Sequence, residues 1–458
     1  MIADLKPYSE YKESGLAWLG QTPSHWEQRR MKFLFSERVQ KGFPREPLLA
    51  ATQSKGVVRK EDYETRTVTA MKDLHLLKLV EMGDFVISLR SFEGGIEVAH
   101  CRGIISPAYT VLTPRREASP SYYSRFFKSS DFISSLRLFV TGIREGQNID
   151  YERLSRAFMP LPPFEEQTAI GRFLDWANGR LDRAIRAKRK VIALLNEQKQ
   201  AIIQRAVTRG LDPSVPLKPS GIPWLGDIPK HWEVRRAKYI YREVDERSTD
   251  GSEELLSVSH ITGVTPRSQK NITMFKAASY AGHKLCRPGD LVVNTMWAWM
   301  GALGVSTFSG IISPAYAVYR PNRPNVVVDE YMDGLLRSRP YISNIICRST
   351  GVRSSRLRLY PEEFFRLPII QPPAEEQKKI VQAIHVETAD VNTDINRLER
   401  EIELLREYRI RLVADVITGK LDVREAAVRL PNEATTDIVE EELDDTLETD
   451  TIDGEAAV

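Results

Sequence analysis

Few residues of this chain have the spacing that a catalytic or metal-binding site requires. The three cysteines, Cys101, Cys286 and Cys347, lie far apart and form no Cys-x-x-Cys pair, which argues against a disulfide framework and against a zinc site. The seven histidines do not cluster either. Two Glu-x-Lys triplets, at 197–199 and 376–378, fall in segments of helical periodicity, where solvated charge pairs are the simpler interpretation than half of a nuclease site. We therefore expect no metal chemistry and no thiol chemistry.

Cofactor and nucleophile motifs are also missing from the sequence. It contains no Gly-x-x-x-x-Gly-Lys-Ser/Thr loop, no Gly-x-Gly-x-x-Gly after a strand and no Gly-x-Ser-x-Gly elbow. Residues 161–164, Leu-Pro-Pro-Phe, differ from the Asn-Pro-Pro-Phe/Tyr of adenine methyltransferases at the first position, and Leu161 cannot hydrogen-bond the amino group of a flipped base. The sequence predicts a protein that is not an enzyme and that binds no cofactor itself.

The charge of the chain is unevenly distributed. Its 458 residues carry a net charge of +3, but the last 28 contain eleven Asp and Glu and no Lys or Arg, so the rest carries +14. A basic body is the expected footprint of a nucleic-acid binder, although scattered surface Lys and Arg commonly give the same sum. The acidic end is interpreted as a disordered tail, because it has too little apolar surface to offset the entropy of ordering.

Hydropathy indicates a soluble protein. The hydrophobic content of 42% and the charged content of 28% are ordinary for a globular protein. No apolar run approaches the ~20 residues of a membrane span, and the first residues lack a basic and then apolar signal sequence. We expect a cytoplasmic location.

Three motifs occur twice, about two hundred residues apart. Residues 14–30 (SGLAWLGQTPSHWEQRR) return at 220–236 as SGIPWLGDIPKHWEVRR. The heptapeptide GIISPAY at 103–109 returns at 310–316, and Pro-Pro-x-Glu-Glu-Gln at 162–167 returns at 372–377. A long period that occurs only twice is not typical of a solenoid, and it indicates a duplicated domain.

Each copy combines a mixed segment with a long helix. Strand-like runs such as 84–88 and 290–294 occur in the first part, which we interpret as a compact α+β domain. Apolar residues then recur at spacings of three and four from Pro-Pro-x-Glu-Glu-Gln onward, through Ile170, Leu174 and Leu181 to Val191 and Leu195. The first helix is predicted over 164–208, about 65 Å at 1.5 Å per residue.

An apolar seam on a lone helix would be left in water, so each long helix needs a partner. We favour pairing of the two long helices with each other. Pairing with another subunit or with domain surfaces is the alternative. The predicted fold class is thus α+β, with two similar domains separated by two long helices.

The order of these motifs resembles that of the specificity subunit of type I restriction-modification systems, over about residues 5–428. The resemblance implies target-recognition domains at 1–160 and 211–370, helical spacers at 161–210 and 371–428, and a tail at 429–458 outside the pattern. It also implies that the two spacers form an antiparallel coiled coil, with the two domains in a pseudo-two-fold relation. It further implies a DNA-binding subunit without an active site, on which two adenine-methylating subunits and, for cleavage, ATP-driven restriction subunits assemble. S-adenosylmethionine, ATP and Mg²⁺ are then expected on those partners, and no membrane is involved.

Two rival interpretations stay open. One is an enzyme, either a self-contained methyltransferase or a nuclease; the other is a coiled-coil scaffold without affinity for DNA. A specificity subunit of a stand-alone methyltransferase is a variant of the favoured reading.

Readers of bases need side chains with paired donors and acceptors on exposed loops, such as Arg for guanine and Asn or Gln for adenine. Aligning 48–56 with 255–263 places Gln53, Ser54 and Lys55 opposite His260, Ile261 and Thr262 in a turn that could also be an ordinary surface loop. The residues after the shared Gly-Asp strand diverge between the copies, as readers of different sequences would. The candidates there are Arg90 and Ser91 in the first copy and Asn294 and Trp297 in the second.

A third group of candidates surrounds a shared Thr-Gly-x-Arg. Arg144 and Arg353 are candidate phosphate contacts, and Gln147, Asn148 and Arg356 nearby are candidate base readers. Salt bridges are the alternative role for these arginines, and core packing is the alternative for Trp297 and Trp299. Six other shared residues are expected to pack rather than to bind a metal: Trp18, His25, Trp26, Trp224, His231 and Trp232.

Overall fold

The structure, a computed structural model, describes residues 5–63, 73–141, 148–269, 279–323, 327–351 and 357–431. Its contacts divide these residues into two compact units. Unit 1 contains the described residues up to Lys188 and those from Glu399 onward, and unit 2 contains those from Arg189 to Leu398. Each long helix therefore contributes one part to each unit.

Unit 1 is an α+β assembly of short strands and helices. Its strands are β1 (Tyr11–Glu13), β2 (Gln21–Pro23), β3 (Glu27–Arg30), β4 (Phe35–Glu37), β5 (Leu49–Thr52), β6 (Gly56–Arg59), β7 (Lys78–Val80), β8 (Phe85–Ile87), β9 (Glu97–Val98), β10 (Gly103–Ile105), β11 (Thr110–Pro114), β12 (Val140–Thr141), β13 (Asn148–Ile149) and β14 (Phe158–Leu161). Its helices are α1 (Met31–Leu34), α2 (Ser91–Gly94), α3 (Pro120–Phe126), α4 (Ser130–Leu136), α5 (Tyr151–Ser155) and the start of α6 (Phe164–Arg209).

Unit 2 repeats this order of elements. Its strands are β15 (Leu217–Pro219), β16 (Asp227–Pro229), β17 (Glu233–Arg236), β18 (Tyr241–Val244), β19 (Leu256–Ser259), β20 (Gly263–Pro266), β21 (Lys284–Cys286), β22 (Leu291–Val293), β23 (Leu303–Val305), β24 (Gly310–Ile312), β25 (Ala317–Pro321) and β26 (Pro368–Gln371). Its helices are α7 (Asp329–Leu336), α8 (Arg339–Arg348), α9 (Pro361–Phe365) and the start of α10 (Ala374–Ile417); α11 (Arg424–Val428) follows in unit 1.

The two units share one sheet topology. A four-stranded antiparallel sheet has the order β4-β11-β8-β9 in unit 1 and β18-β25-β22-β23 in unit 2. A hairpin, β5–β6 or β19–β20, lies beside it, and β3 or β17 pairs with the strand that leads into the long helix. Aromatic helices fill the cores, with Tyr122 and Phe126 fully buried in unit 1 and Tyr331 and Tyr341 in unit 2. The predicted duplication of an α+β domain is confirmed.

Both predicted long helices are present and begin at the repeated Pro-Pro. Gln167 fixes the start of α6 by donating its side-chain amide to the carbonyl of Pro162 at 2.8 Å, and Gln377 does the same to Pro372 at 2.9 Å. The helices end beside Gly210 and Gly419, which have the positive φ angles of 77° and 79° typical of helix C-termini.

Within each unit the two helical segments pack against each other, as the apolar seam predicted, and they are antiparallel, as the resemblance implied. In unit 1, Nζ of Lys188 lies 2.5 Å from a carboxylate oxygen of Glu401, and a carboxylate oxygen of Asp182 lies 2.6 Å from the guanidinium of Arg409. The residue with the lower number on α6 thus contacts the residue with the higher number on α10, which means that the helices are antiparallel. In unit 2, Lys199 bonds Asn392 at 2.8 Å and Arg205 bonds Glu387 at 3.1 Å, with the same sense.

The predicted seam is wrong at one position. Val191 is 45% exposed, whereas its neighbour Ile192 is half-buried, because the apolar stripe continues through Ile192 and Leu195. Seam residues are most deeply buried where a domain core covers them, as at Ile170 and Leu174, which are fully buried.

Unit 1 is closed by both ends of the described chain. Lys6 forms an antiparallel bridge with Asp422, and the hydroxyl of Tyr11 donates to the carbonyl of Lys420 at 3.1 Å. The core of unit 1 also contains Val423 and Leu430. Of the predicted tail at 429–458, Leu430 is thus packed in a core, and residues 432–458 lie outside the described residues.

Two of the three repeated motifs, the one at 14–30 or 220–236 and Pro-Pro-x-Glu-Glu-Gln, meet at one place in each unit, which we call the Trp–Glu junction. In unit 1 the buried Glu166 accepts hydrogen bonds from Trp26 Nε1 at 2.8 Å and from the Tyr8 hydroxyl at 2.6 Å, and its other oxygen lies 2.8 Å from His25 Nε2. The glycine that ends the partner helix, Gly419, packs against the ring of Trp26. The motifs are therefore shared because they fasten the start of one long helix and the end of the other to the domain.

The junction of unit 2 has the same plan with one donor fewer. Trp232 Nε1 donates to Glu376 at 3.0 Å, and His231 Nε2 lies 2.7 Å from the other oxygen of Glu376. The position of Tyr8 is taken by Ser214, which bonds Asp212 instead.

Replacing Gly419 by alanine should destabilise the protein more than replacing Gly210. Both glycines have a left-handed backbone, which costs about 1–2 kcal/mol for a residue with a Cβ. A Cβ on Gly419 would also lie 2.4 Å from Cδ of Pro23, whereas the nearest atom to a Cβ on Gly210 is 3.3 Å away, on Trp232. Thermal unfolding of the two variants compares them directly, and equal losses would contradict the close contact at Gly419.

Candidate nucleic-acid interface

In each unit a hairpin turn carries the first group of predicted readers. Gln53, Ser54 and Lys55 form the exposed turn between β5 and β6. His260 and Thr262 lie in the equivalent turn between β19 and β20, where Thr262 is exposed and His260 is half-buried. The structure thus places both predicted segments at equivalent, solvent-accessible positions.

A basic side chain from the domain core holds each turn in place. Lys128 donates from Nζ to the carbonyl of Gln53 at 2.9 Å and to that of Gly94 at 2.8 Å. In unit 2 the guanidinium of Arg337 donates to the carbonyls of His260 and Ile261 at 2.9 and 2.6 Å. Because the backbone carbonyls are held, the turn can present its side chains in a fixed direction.

Sequence reasoning missed this pair of basic residues. Lys128 and Arg337 each follow two apolar residues and precede a serine, at 126–129 and 335–338, so a shared pattern was present in the sequence. Its use could not be read, because the turn that each residue holds is more than seventy residues away along the chain.

In unit 1 the turn lies against the second predicted group. A Cβ built on Gly94 would lie 2.7 Å from the side chain of Gln53, so α2, which follows Arg90, borders the turn. Arg90 itself is exposed. The same helix contacts β13, whose first residue, Asn148, is exposed. Three segments predicted separately from the sequence therefore come together in unit 1.

Unit 2 has the same arrangement with different side chains. A Cβ built on Gly301 would lie 4.0 Å from Cβ of His260, so the loop after β22 borders the turn. Trp297 and Trp299 lie in that loop, half-buried and stacked on each other with ring centroids 5.8 Å apart. They are not neighbours on a strand, since residues 298–300 form a 3₁₀ turn and the indole of Trp299 donates to the carbonyl of Met296 at 2.9 Å.

Two predicted readers need correction. Ser91 is 2% exposed, and its hydroxyl accepts the backbone N–H of Ser88 at 2.8 Å. Asn294 is 1% exposed and accepts the backbone N–H of Met296 at 3.3 Å. Both side chains are used to shape the loop after the shared Gly-Asp strand, so neither can reach a ligand in this conformation.

Four further candidates, Arg144, Gln147, Arg353 and Arg356, lie outside the described residues. The described residues that flank the second segment adjoin the same loop, since Thr350 bridges Arg358 and the N–H of Leu359 donates to the carbonyl of Thr295 at 2.9 Å.

A buried carboxylate lies behind the turn of unit 1. Glu97 is 2% exposed and bonds Lys128 through one oxygen, while the other has no partner among the described residues. Burial raises the pKa of Glu97, and the neighbouring Lys128 acts against that rise. The bond between Glu97 and Lys128 orients the lysine toward the turn.

The residues predicted to pack do so, with a further role for the histidines. Trp26 and Trp232 are 1% and 0% exposed. Trp18 packs against Phe126 in a tilted contact and against Phe132 edge-on, and Trp224 packs edge-on against Tyr341. His25 and His231 are partly exposed and bond the carboxylates of the Trp–Glu junctions. Sequence reasoning missed this contact, because His25 and Glu166 are 141 positions apart and His231 and Glu376 are 145 positions apart.

Two negative findings apply to the described ranges. No group of three or more His, Cys, Asp and Glu in them could hold a metal ion. In the same ranges, no helix combines the length and the apolar character that crossing a bilayer requires.

Fold and loops together define a class of protein: two copies of an α+β domain that present unlike loops on a common framework of long paired helices. No protein-family model matches the chain. Among curated proteins it is similar to the putative type I restriction enzyme MjaX specificity subunit of Methanocaldococcus jannaschii, with 23% identity over 452 residues that cover 90% of this chain and 98% of the relative. The MjaVIII specificity subunit of the same organism is 29% identical over 142 residues, covering 30% of this chain and 31% of the relative.

One solved structure, with a TM-score above 0.5, shows the same fold. A chain from a structure of the type I R-M system, described for its complex assembly and conformational transition, has a TM-score of 0.54 and 16% identity and covers 87% of this chain and 99% of its own. The HsdS subunit from Thermoanaerobacter tengcongensis covers 89% of this chain and 100% of its own, with 15% identity and a TM-score of 0.43. The resemblance to type I specificity subunits that the repeated motifs predicted is confirmed over most of the chain.

Proposed function

We propose that this protein is the DNA-specificity subunit of a type I restriction-modification complex. In this proposal each unit reads one half of a bipartite, asymmetric DNA site, and the chain positions two adenine-N6 methylation subunits and, for cleavage, restriction subunits. The chain itself has no catalytic role; S-adenosylmethionine, ATP and Mg²⁺ are used by the partners. A cytoplasmic location follows from that role.

One observation carries the proposal: in each unit, residues that differ between the two copies lie on neighbouring exposed loops, whereas the repeated Trp26 and Trp232 are buried at the Trp–Glu junctions. Gln53 and Arg90 on one side correspond to His260 and Trp297 on the other. Different side chains on a common framework suit the reading of different base edges, because hydrogen-bond patterns in the major groove distinguish all four base pairs.

The test is to express the full chain with its methylation subunits in a host without adenine-N6 methylation and to map the methylated adenines by single-molecule sequencing. We expect one split motif with two unlike halves. No methylation, or methylation at a contiguous site, would contradict the proposal. Methylation by the chain alone would instead support a self-contained enzyme.

Changing the turn of one unit should relax one half of the motif only. Gln53→Ala is expected to lower discrimination at a position in one half, and His260→Ala at a position in the other, because each turn borders the loops of its own unit. A lost base contact is worth about 1–3 kcal/mol, or about 5- to 150-fold in discrimination. Val428→Ala, at a side chain 85% exposed on α11, is the control that should leave the motif unchanged. Relaxation of both halves by one variant would contradict the assignment.

A further inference from the structure

A basic and aromatic surface occurs once in each unit and has no role in the site described above. We call it the basic–aromatic patch. In unit 1 it consists of Arg30, Lys32, Phe33 and Arg116, and in unit 2 of Arg236, Lys238, Tyr239 and Arg323. Its first segment is repeated almost unchanged, as EQRRMKF at 27–33 and EVRRAKY at 233–239. The patch is therefore expected to contact the same partner in both units. It differs in this from the exposed turns β5–β6 and β19–β20 and the loops after β8 and β22, which diverge between the units and which we call the reading loops.

The patch has an equivalent local geometry in both units. Phe33 is 57% exposed with Lys32 Nζ 5.2 Å from its ring centroid, and Tyr239 is 64% exposed with Lys238 Nζ 4.8 Å from its own. Arg116 and Arg323 are brought to the patch in the same way, through the residue before each of them. The N–H of Arg115 donates to the carbonyl of Leu34, and the N–H of Asn322 donates to the carbonyl of Ile240, both at 2.8 Å.

Neighbouring carboxylates neutralise only one arginine of each Arg-Arg pair. Arg29 bonds Glu27 and Glu117, and Arg235 bonds Glu233. Within the part of the chain that the structure describes, Arg30 and Arg236 form no ion pair; Arg30 lies over the ring of Phe158, 5.4 Å from its centroid.

Unit 2 also has a cavity beside its copy of the patch. A cavity of about 530 Å³ is lined by Arg236, Tyr239, Asn322, Arg323 and Gln371, among others. An exposed ring beside a cavity whose rim carries arginines is suited to a partner that contributes both apolar surface and carboxylates.

The position of the patch separates it from the reading loops. The patch adjoins β4, one edge of the four-stranded sheet, whereas the reading turn adjoins β9, the other edge. In unit 2 the corresponding edges are β18 and β23. Three strand spacings of about 4.8 Å put these edges about 14 Å apart.

We infer that each basic–aromatic patch docks one copy of a protein partner with an acidic, partly apolar surface. Arginine and aromatic residues are enriched where proteins bind each other. A DNA backbone, in contrast, offers no apolar pocket for a ring such as that of Phe33. Under the proposed function, on which this inference rests, the partner present in two copies is the methylation subunit.

The test uses charge-reversed variants of the full chain mixed with purified methylation subunits. Wild type should bind two copies by native mass spectrometry. Arg30→Glu with Lys32→Glu, or Arg236→Glu with Lys238→Glu, should each bind one copy, with the affinity for the lost copy reduced at least about tenfold. Phe33→Ala and Tyr239→Ala should weaken the same copies without changing charge. Arg45→Glu, at an exposed arginine outside the patch, should bind two.

Three outcomes distinguish the inference from the proposed function. If both charge-reversed variants retain two copies at wild-type affinity, the inference is overturned and the proposed function stands. If they retain two copies but the chain binds duplex DNA more weakly, the patch is a phosphate contact and the inference is again overturned. If the wild-type chain binds no methylation subunit at all, the proposed function fails. Unchanged thermal unfolding of the variants excludes loss of fold as the cause.

Discussion

Glu166→Ala is expected to destabilise unit 1 by roughly 2–6 kcal/mol, since the substitution leaves the buried donors of Trp26 and Tyr8 without an acceptor at about 1–3 kcal/mol each. Burial, followed by the bond to Glu166, raises the pKa of Tyr8, so its hydroxyl stays protonated and donates. Denaturant unfolding followed by tryptophan fluorescence measures the loss.

The duplicate residue is the matched control. Glu376→Ala removes the acceptor of Trp232, but Glu376 is 28% exposed against 4% for Glu166, and no tyrosine among the described residues donates to it. Water can therefore replace part of what is lost, and we expect a smaller effect. An equal or larger loss for Glu376→Ala would show that the number of buried donors does not govern the strength of the Trp–Glu junction.

Asp290→Ala is expected to cost unit 2 about 3–5 kcal/mol, the usual effect of removing one partner of a buried ion pair. Asp290 is 1% exposed and binds the guanidinium of Arg320 through both oxygens, at 2.7 and 2.8 Å. It also accepts the backbone N–H of Arg287 at 2.9 Å. The guanidinium left behind stays charged, because arginine is not deprotonated in proteins, and it keeps its bond to Glu246 at 2.9 Å. Thermal unfolding of the variant gives the cost.

The equivalent pair in unit 1 provides a rescue experiment. Asp84 is the aspartate of the shared Gly-Asp in unit 1, as Asp290 is in unit 2. The arginine that binds Asp84 is Arg38, which directly follows β4, whereas the arginine that binds Asp290 lies on β25, the counterpart of β11. The matching positions are Val244 for Arg38 and Thr113 for Arg320. Arg320→Thr should therefore destabilise unit 2, and adding Val244→Arg should recover part of the loss. No recovery would contradict the equivalence of the two arginine positions.

Features encoded over short stretches of sequence could be predicted. The long helices, the α+β character of each copy and the pairing of the helices followed from repeated motifs and apolar spacing. The one misplaced seam residue, Val191, is a single position away from the half-buried Ile192. Exposed turns such as Gln53–Lys55 were found because loop residues between apolar runs diverge between the copies.

Contacts between distant residues could not be predicted. The bond from Trp26 to Glu166 joins residues 140 positions apart, and Arg38 and Arg320 reach equivalent aspartates from different strands. Ser91 and Asn294 were misjudged for a different reason: a polar side chain at a loop is as suited to capping its own backbone as to binding a ligand, and only the fold distinguishes the two.

Unit 1 contains residues from both ends of the described chain, and this reverses the usual order of folding during synthesis. Domains generally fold from the N-terminus as the ribosome delivers them. Here every residue of unit 2 up to Leu398 has been made before the strand partner of Lys6 and the core residue Leu430 exist. Unit 1 must therefore wait for residues that are made after unit 2, and a nascent chain interrupted after Leu398 would release a unit 2 whose described residues are all present while unit 1 is still incomplete.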